Sequence, residues 1–457
     1  MLVSRIVVRR SSNATFFVGE RRSPWYLVAF GMIGASISGV TFVSVPGMVL
    51  HSDMTYLQTC MGFILGYAAV AFILLPIYYR LQLTTIYTYL RKISDGACQT
   101  GTIFFIISKL LGSAAKFYVP CYIISDSLGT PFAPTAAMLM VLIWLYTRRG
   151  GIRTLVWTDV LQTICMLAAL LLITYKVTDG MGLSVGEATE AILSSPHCRI
   201  FEFGDWGSSR HFLKSFISGI FIVIVMTGLD QDMMQKNLTC KSLRDAQKDM
   251  CTYGLAFLPV NLLFLCLGIL LTLFYTHHGM PLPEKADELL SAVVADGTLG
   301  GMATVLFTIG IVAASFSTTD GSLTALTTCI CIDLFRRQDD ERLRRLVHIV
   351  MAIAMMLCVI LFHHAGVTSL IDAVYTLVSY TYGPLLGLFL YAMTTGKGNG
   401  RRGMWSILSV CLASPLLCYF LSIIIPSLTG YHFGYELLLL NGMLTYVGLN
   451  LSKACAS

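Results

Sequence analysis

Charge is what this chain has least of. Only 12% of its 457 residues are Asp, Glu, Lys or Arg, against 56% that are hydrophobic, and the mean hydropathy is +0.73. That supply cannot cover the surface of a water-soluble globule of this length, so such a protein is excluded. Long polar stretches are missing as well: no segment between apolar runs exceeds about 35 residues, too little for a separate soluble domain. Metal-ligand spacing is absent from the 14 cysteines. Most, such as Cys165, Cys266, Cys329 and Cys358, fall inside apolar runs, Cys329-x-Cys331 is an isolated pair, and only Cys198 lies well inside a polar loop. They read as small apolar packing residues, which argues against a zinc site or a disulfide framework. No nucleophile accompanied by a base and no phosphate-binding loop is found, so the parts of an enzyme are lacking. No cleavable signal peptide is expected.

What the chain has in abundance is apolar length. Roughly twelve runs are long enough to cross a bilayer as helices, at about 23–50, 59–80, 102–125, 132–148, 154–177, 212–235, 247–276, 302–335, 344–363, 367–393, 404–425 and 434–452. This predicts an all-α integral membrane protein whose surroundings are a lipid bilayer. The net charge of +6 is a matter of topology and implies no nucleic acid partner, because the basic residues sit in short loops. Alternate loops collect Arg80, Arg91 and Lys92; Arg148, Arg149 and Arg153; Lys236, Lys241, Arg244 and Lys248; Arg336, Arg337, Arg342, Arg344 and Arg345; Lys397, Arg401 and Arg402; and Lys453. With the N-terminal arginines that is about 24 of the 31 basic residues on one side. The bias predicts a multi-pass protein of the cell (inner) membrane with both termini cytoplasmic and the 178–211 and 277–301 loops outside.

Polar interruptions mark where such a protein could act. Ala313 to Thr324 is a hydroxyl-dense run inside the eighth span, and Ala314, Ser317 and Thr318 stand at i, i+3 and i+4 on one face, continued by Gly321. Hydroxyls beside main-chain carbonyls suit a hard cation such as sodium, although small residues serve close helix packing equally well. In the first span, Gly31 to Thr41 holds three glycines and two serines, a stretch that can unwind where it lines a cavity or that can offer a packing face. Thr227-Gly228-Leu229-Asp230-Gln231-Asp232 interrupts the sixth span five helices later, a spacing that suits a five-plus-five inverted repeat. Asp230 and Asp232 fit a helix end or a cytoplasmic gate. Lys109 and Lys116 lie within the third span, where each costs about 2.5–3.5 kcal/mol on insertion scales. One of them could face an anionic substrate; either could instead pair with Asp159 or Asp230, or snorkel to an interface.

Several of these stretches together resemble the sodium:solute symporter family. The match rests on Ser23-Pro24-Trp25-Tyr26, Ile37 to Phe42, Gly150 to Thr154 running into Trp157 to Gln162, Gly228 to Gln235, the 313–324 run, and Tyr382-Gly383-Pro384. The resemblance implies a leucine-transporter-type five-plus-five core over 23–395, two extra C-terminal helices over 396–457, and a cytoplasmic N-terminal remnant at 1–22. Family members usually begin with a further helix before the core, which implies an N-terminus that is truncated or a start that is misassigned. The resemblance also implies one sodium held by carbonyls of Gly34, Ile37 and Ala314 with hydroxyls of Ser317 and Thr318. A second sodium would use Asp159, with Asp320 standing where some members have serine. Ser38 and Thr41 match positions that touch substrate, and Lys116 is added to them for its place inside an apolar span. The function implied is sodium-coupled import of a small polar organic solute, such as a sugar, sialic acid or carboxylate, by a monomer with no catalytic residues. A membrane sensor using a transporter-like fold is the alternative.

Overall fold

A computed structural model describes residues 12–454 apart from 205, 209, 296, 366–375, 377–379, 396–403 and 432. Every regular element among them is helical, with one isolated β-bridge between Ser23 and Cys240. A short helix α1 (Asn13–Val18) leads to the pair α2 (Trp25–Ser36) and α3 (Gly39–Ser52), then α4 (Tyr56–Arg80), α5 (Asp95–Leu128), α6 (Phe132–Gly150) and α7 (Ile152–Gly180). A second pair, α8 (Phe212–Gly228) and α9 (Gln231–Asn237), is followed by α10 (Leu243–His277), α11 (Gly301–Leu334), α12 (Glu341–Ala365), α13 (Gly383–Thr394), α14 (Met404–Thr429) and α15 (Leu437–Ala454).

Seven of these helices are long and apolar enough to cross a membrane alone, two more spans are the bent pairs, and α6, α13 and α15 are shorter apolar helices. The tally matches the twelve runs read from hydropathy. The tenth run, 367–393, is represented by α13, since most of its first half lies outside the described residues. Arg5, Arg9, Arg10, Lys397, Arg401 and Arg402 also lie outside them.

Both polar interruptions are bends. The α2/α3 pair turns by 62° and the α8/α9 pair by 71°, five spans apart, as a repeated architecture requires. The first and second halves of the bundle meet backbone to backbone: a Cβ at Gly62 of α4 would stand 2.1 Å from the Phe216 carbonyl oxygen of α8, and one at Gly219 would stand 2.2 Å from that of Thr59. Only glycine permits that approach.

One expectation gains detail and one needs correcting. Of residues 1–22, expected as a cytoplasmic remnant, the described part from Ser12 packs against the helices. Ser12 caps α1, Phe16 and Phe17 are buried, and Gln235 donates to the Phe17 carbonyl at 2.7 Å. Lys236 and Arg344, counted among the loop charges, are each about 1% exposed. Arg344 lies over the Phe16 ring at 4.6 Å, and Lys236 has turned into the membrane-spanning core.

Candidate functional site

The break between α2 and α3 has a specific chemical cause. An unbroken helix would send the Ser38 amide to the Gly34 carbonyl and the Thr41 amide to the Ile37 carbonyl. Here the Ser38 amide donates to Thr41 Oγ1 at 3.3 Å, and the Thr41 amide donates to Ser38 Oγ at 3.4 Å. This reciprocal capping box starts α3 afresh. It also removes the usual intrahelical donors from the two carbonyls, Gly34 and Ile37, that sequence comparison had singled out.

Glycine sets what surrounds the break. A Cβ at Gly34 would fall 2.1 Å from Thr163 Oγ1 of α7, one at Gly31 would lie 3.0 Å from Asp159 Cβ, and one at Gly39 would lie 2.3 Å from Ser315 Oγ of α11. The packing and unwinding roles weighed for this stretch thus belong to different residues: the glycines admit α7 and α11, while Ser38 and Thr41 open the helix. On α11, Thr318 donates its hydroxyl proton to the Ala314 carbonyl at 3.1 Å, and Ser317 donates to Asp159 Oδ1 at 2.6 Å. A hydroxyl whose proton is engaged presents its lone pairs elsewhere, the orientation in which it can ligate a cation.

A cavity of about 140 Å³ opens beside the break. Of the residues predicted to bind solute or ion, Ser38, Thr41, Lys116 and Thr318 line it, whereas Gly34, Ile37, Ala314, Ser317, Asp159 and Asp320 do not. Aromatic side chains, among them Tyr56, Phe63, Tyr67 and Phe257, complete much of its wall. The Ser36 and Tyr253 hydroxyls hydrogen-bond to each other at its edge.

The third-span lysines have separate fates. Lys109 is ion-paired with Asp230 and Asp232, 2.9 Å from each, the pairing foreseen as one alternative. Asp230 also caps α9 through the Asp232 amide and accepts the Tyr382 hydroxyl at 2.7 Å, so it does serve a helix end. Lys116 reaches the cavity without an ion pair among the described residues and feels Lys109, Asp230 and Asp232 only at longer range. Asp159 does not pair with either third-span lysine: its partner is Lys236 at 2.9 Å. Asp320 accepts the Tyr146 hydroxyl and has no hydrogen bond in common with Asp159.

Lys236 is the functional candidate that sequence reading passed over. It was placed with Lys241 and Arg244 in a loop, yet it stands four residues after Asp232, the helical i, i+4 spacing of an ion pair, and the two lie 3.8 Å apart. That spacing inside a run of Met and Gln was the available signal.

The sodium:solute symporter family model matches residues 16–409. The human sodium/iodide cotransporter is 25% identical over 430 residues, covering 88% of this chain and 66% of that protein. A sodium/sialic acid symporter of Aliivibrio fischeri is 23% identical over 425 residues, covering 90% and 83%. Among solved structures, a substrate-bound, outward-open Na+-coupled sialic acid symporter superposes with a TM-score of 0.81 at 19% identity, over 99% of this chain and 95% of that one. Mhp1, a nucleobase-cation-symport-1 family transporter in a closed conformation, gives 0.56 at 17% identity, over 98% and 95%. The fold is therefore of the leucine-transporter type.

The Lys109 cluster predicts a stability pattern. Lys109→Met leaves two buried carboxylates facing each other and should cost about 3–5 kcal/mol, read as a lowered thermal midpoint of the detergent-purified protein. Adding Asp232→Asn removes one orphaned charge and should restore part of the loss. A single variant as stable as wild type would show that the pairing contributes nothing.

Proposed function

Because the chain belongs to the sodium:solute symporter family, we propose that it imports a small polar organic solute together with sodium by alternating access. The observation that carries this reading is the diversion of the Ser38 and Thr41 amides, which turns the Gly34 and Ile37 carbonyls into candidate ligands at a break in the membrane core. Sodium leaving water needs replacement oxygens in nearly full number. The proposed set is those two carbonyls, the Ala314 carbonyl and the hydroxyls of Ser317 and Thr318. An ion held by both the α2/α3 break and α11 stabilises conformers in which these elements are together, and an inward sodium gradient drives the solute only through that difference.

The solute site proposed is the cavity, with Ser38, Thr41 and Lys116 on its wall. Sugars, sialic acid and carboxylates are all candidates. An ammonium directed at the cavity without an ion pair favours those that carry negative charge, and the relatives transport iodide or sialic acid by their names. Both termini are proposed to face the cytoplasm of the cell membrane. With Lys236 and Arg344 set aside as buried, the remaining loop charges still support that orientation.

Removing both hydroxyls with Ser317→Ala and Thr318→Val should abolish sodium-driven accumulation in proteoliposomes while leaving the protein folded. Uptake with an unchanged sodium half-saturation would overturn the ion site. Lys116→Met should raise the KM for an anionic solute about tenfold or more, the loss of a charge-assisted contact, and an unchanged KM would remove Lys116 from the solute site. A cysteine replacing Asp340 should react with an impermeant thiol reagent only after intact cells are opened, and ready labelling from outside would invert the topology.

A further inference from the structure

We infer that the Lys236 ammonium is a tethered cation occupying the cation position at Asp159, so that the transporter takes up one sodium ion per cycle where the Asp159 motif would otherwise provide for two. The inference rests on the sodium-coupled reading above. Three features point to it.

The first is the charge already paired with Asp159. Its Oδ2 faces the Lys236 nitrogen at 2.9 Å, and its Oδ1 accepts the Ser317 hydroxyl at 2.6 Å. Both Asp159 and Lys236 are about 1% exposed. A sodium ion at this carboxylate would have to displace the ammonium or settle beside it, and two like charges that close in a poorly screened interior repel strongly.

The second is the space that α11 leaves beside the Lys236–Asp232 pair, most of it against the Asp232 carboxylate. A Cβ at Gly321 would lie 2.2 Å from Asp232 Oδ1 and 3.1 Å from the Lys236 nitrogen. The residue is therefore bare where any side chain would collide with the Lys236–Asp232 pair. It also offers no side-chain oxygen to an ion. The neighbouring Asp320, expected as a ligand for a second sodium, accepts the Tyr146 hydroxyl on Oδ2, while its buried Oδ1 has no hydrogen-bond partner among the described residues.

The third is where the pair leads. Lys236 belongs to α9, beyond the 71° bend, and Asp159 belongs to α7. Ser317 donates to the carboxylate that Lys236 neutralises, so the pair fixes the hydroxyl rotor of a residue in the remaining sodium site. The ammonium supplies the positive charge that a second ion would have brought, but on a tether that never leaves the protein. Lys236 is thus a positioning residue that sets stoichiometry, while the ligands of the transported ion lie on α2/α3 and α11.

Equilibrium binding of radioactive sodium to the purified full-length protein tests this directly. Wild type should bind one ion per chain. Lys236→Met frees Asp159 and should bind two, with the Hill coefficient for sodium in uptake rising from about one towards two. Lys236→Met combined with Asp159→Asn removes both charges and should return to one, a pattern that a purely structural ion pair would not produce. Two ions bound to wild type would overturn the inference, as would one ion bound to a folded Lys236→Met variant. If Lys236→Met does not yield folded protein, the wild-type count decides alone. No sodium bound to wild type would overturn the sodium-coupled reading itself, which separates the two failures.

Discussion

A chain in lipid must satisfy its own backbone amides and carbonyls, since no water is at hand to do so. Everything specific in this molecule follows from where that rule is met by a side chain. At Ser38 and Thr41 two hydroxyls take over two amide donors, which ends one helix, begins another and redirects the chain by 62°. The consequence is a pair of carbonyls with altered partners at a place where a cavity, α7 and α11 meet. At the corresponding second break, Asp230 plays the same part with a charge, capping α9 through the Asp232 amide. Because a carboxylate rather than a hydroxyl does the capping there, the second break requires a counterion, and Lys109 provides it.

The buried charges form a connected set. Lys109 holds Asp230 and Asp232, Asp232 lies near Lys236, Lys236 pairs with Asp159, and Asp159 accepts Ser317. That chain passes from α5 through α9 and α7 to α11, joining the second break to the proposed ion site beside the first. Buried ion pairs are poor sources of net stability because desolvation offsets their attraction. Their value here is directional: the members are linked across neighbouring elements, and displacement of one helix changes the surroundings of the next. Such a network is a physical means of coupling α9 to the ion site, provided the two conformers of the cycle differ in these contacts.

The cavity and the network share Lys109, Asp230 and Asp232, and Thr318 of the proposed ion site lines the same cavity. A solute at the proposed cavity site and an ion at the proposed sodium site would therefore share one electrostatic environment. A negative solute near Lys116 enters the field of a cluster whose charges are otherwise closely balanced, and that field differs once sodium is in place. Aromatic and apolar walls keep screening low, which makes each charge count for more than it would in water.

Much was legible in the sequence because lipid imposes strong, one-dimensional rules. The twelve apolar runs, the absence of soluble domains, the two interrupted spans five apart and the hydroxyl face of Ala314, Ser317 and Thr318 are all consequences of hydropathy, spacing and periodicity, which neighbours in the chain determine by themselves. Partner choice is different, because it depends on which helices touch. The sequence placed Lys236 in a loop by counting charges, and only the packing of α9 against α7 and α11 turned it inward to Asp159. It placed Lys116 with the substrate residues but could not say what Lys109 meets, and only the position of Asp230 and Asp232 showed Lys109 as a counterion beside the cavity. It set residues 1–22 apart from the core, and only tertiary structure shows Phe16 and Phe17 buried against it. Local pattern decides where a helix starts, bends and enters the membrane; tertiary structure decides which buried charge meets which, because an ion pair is made by distance in space and carries no signature along the chain.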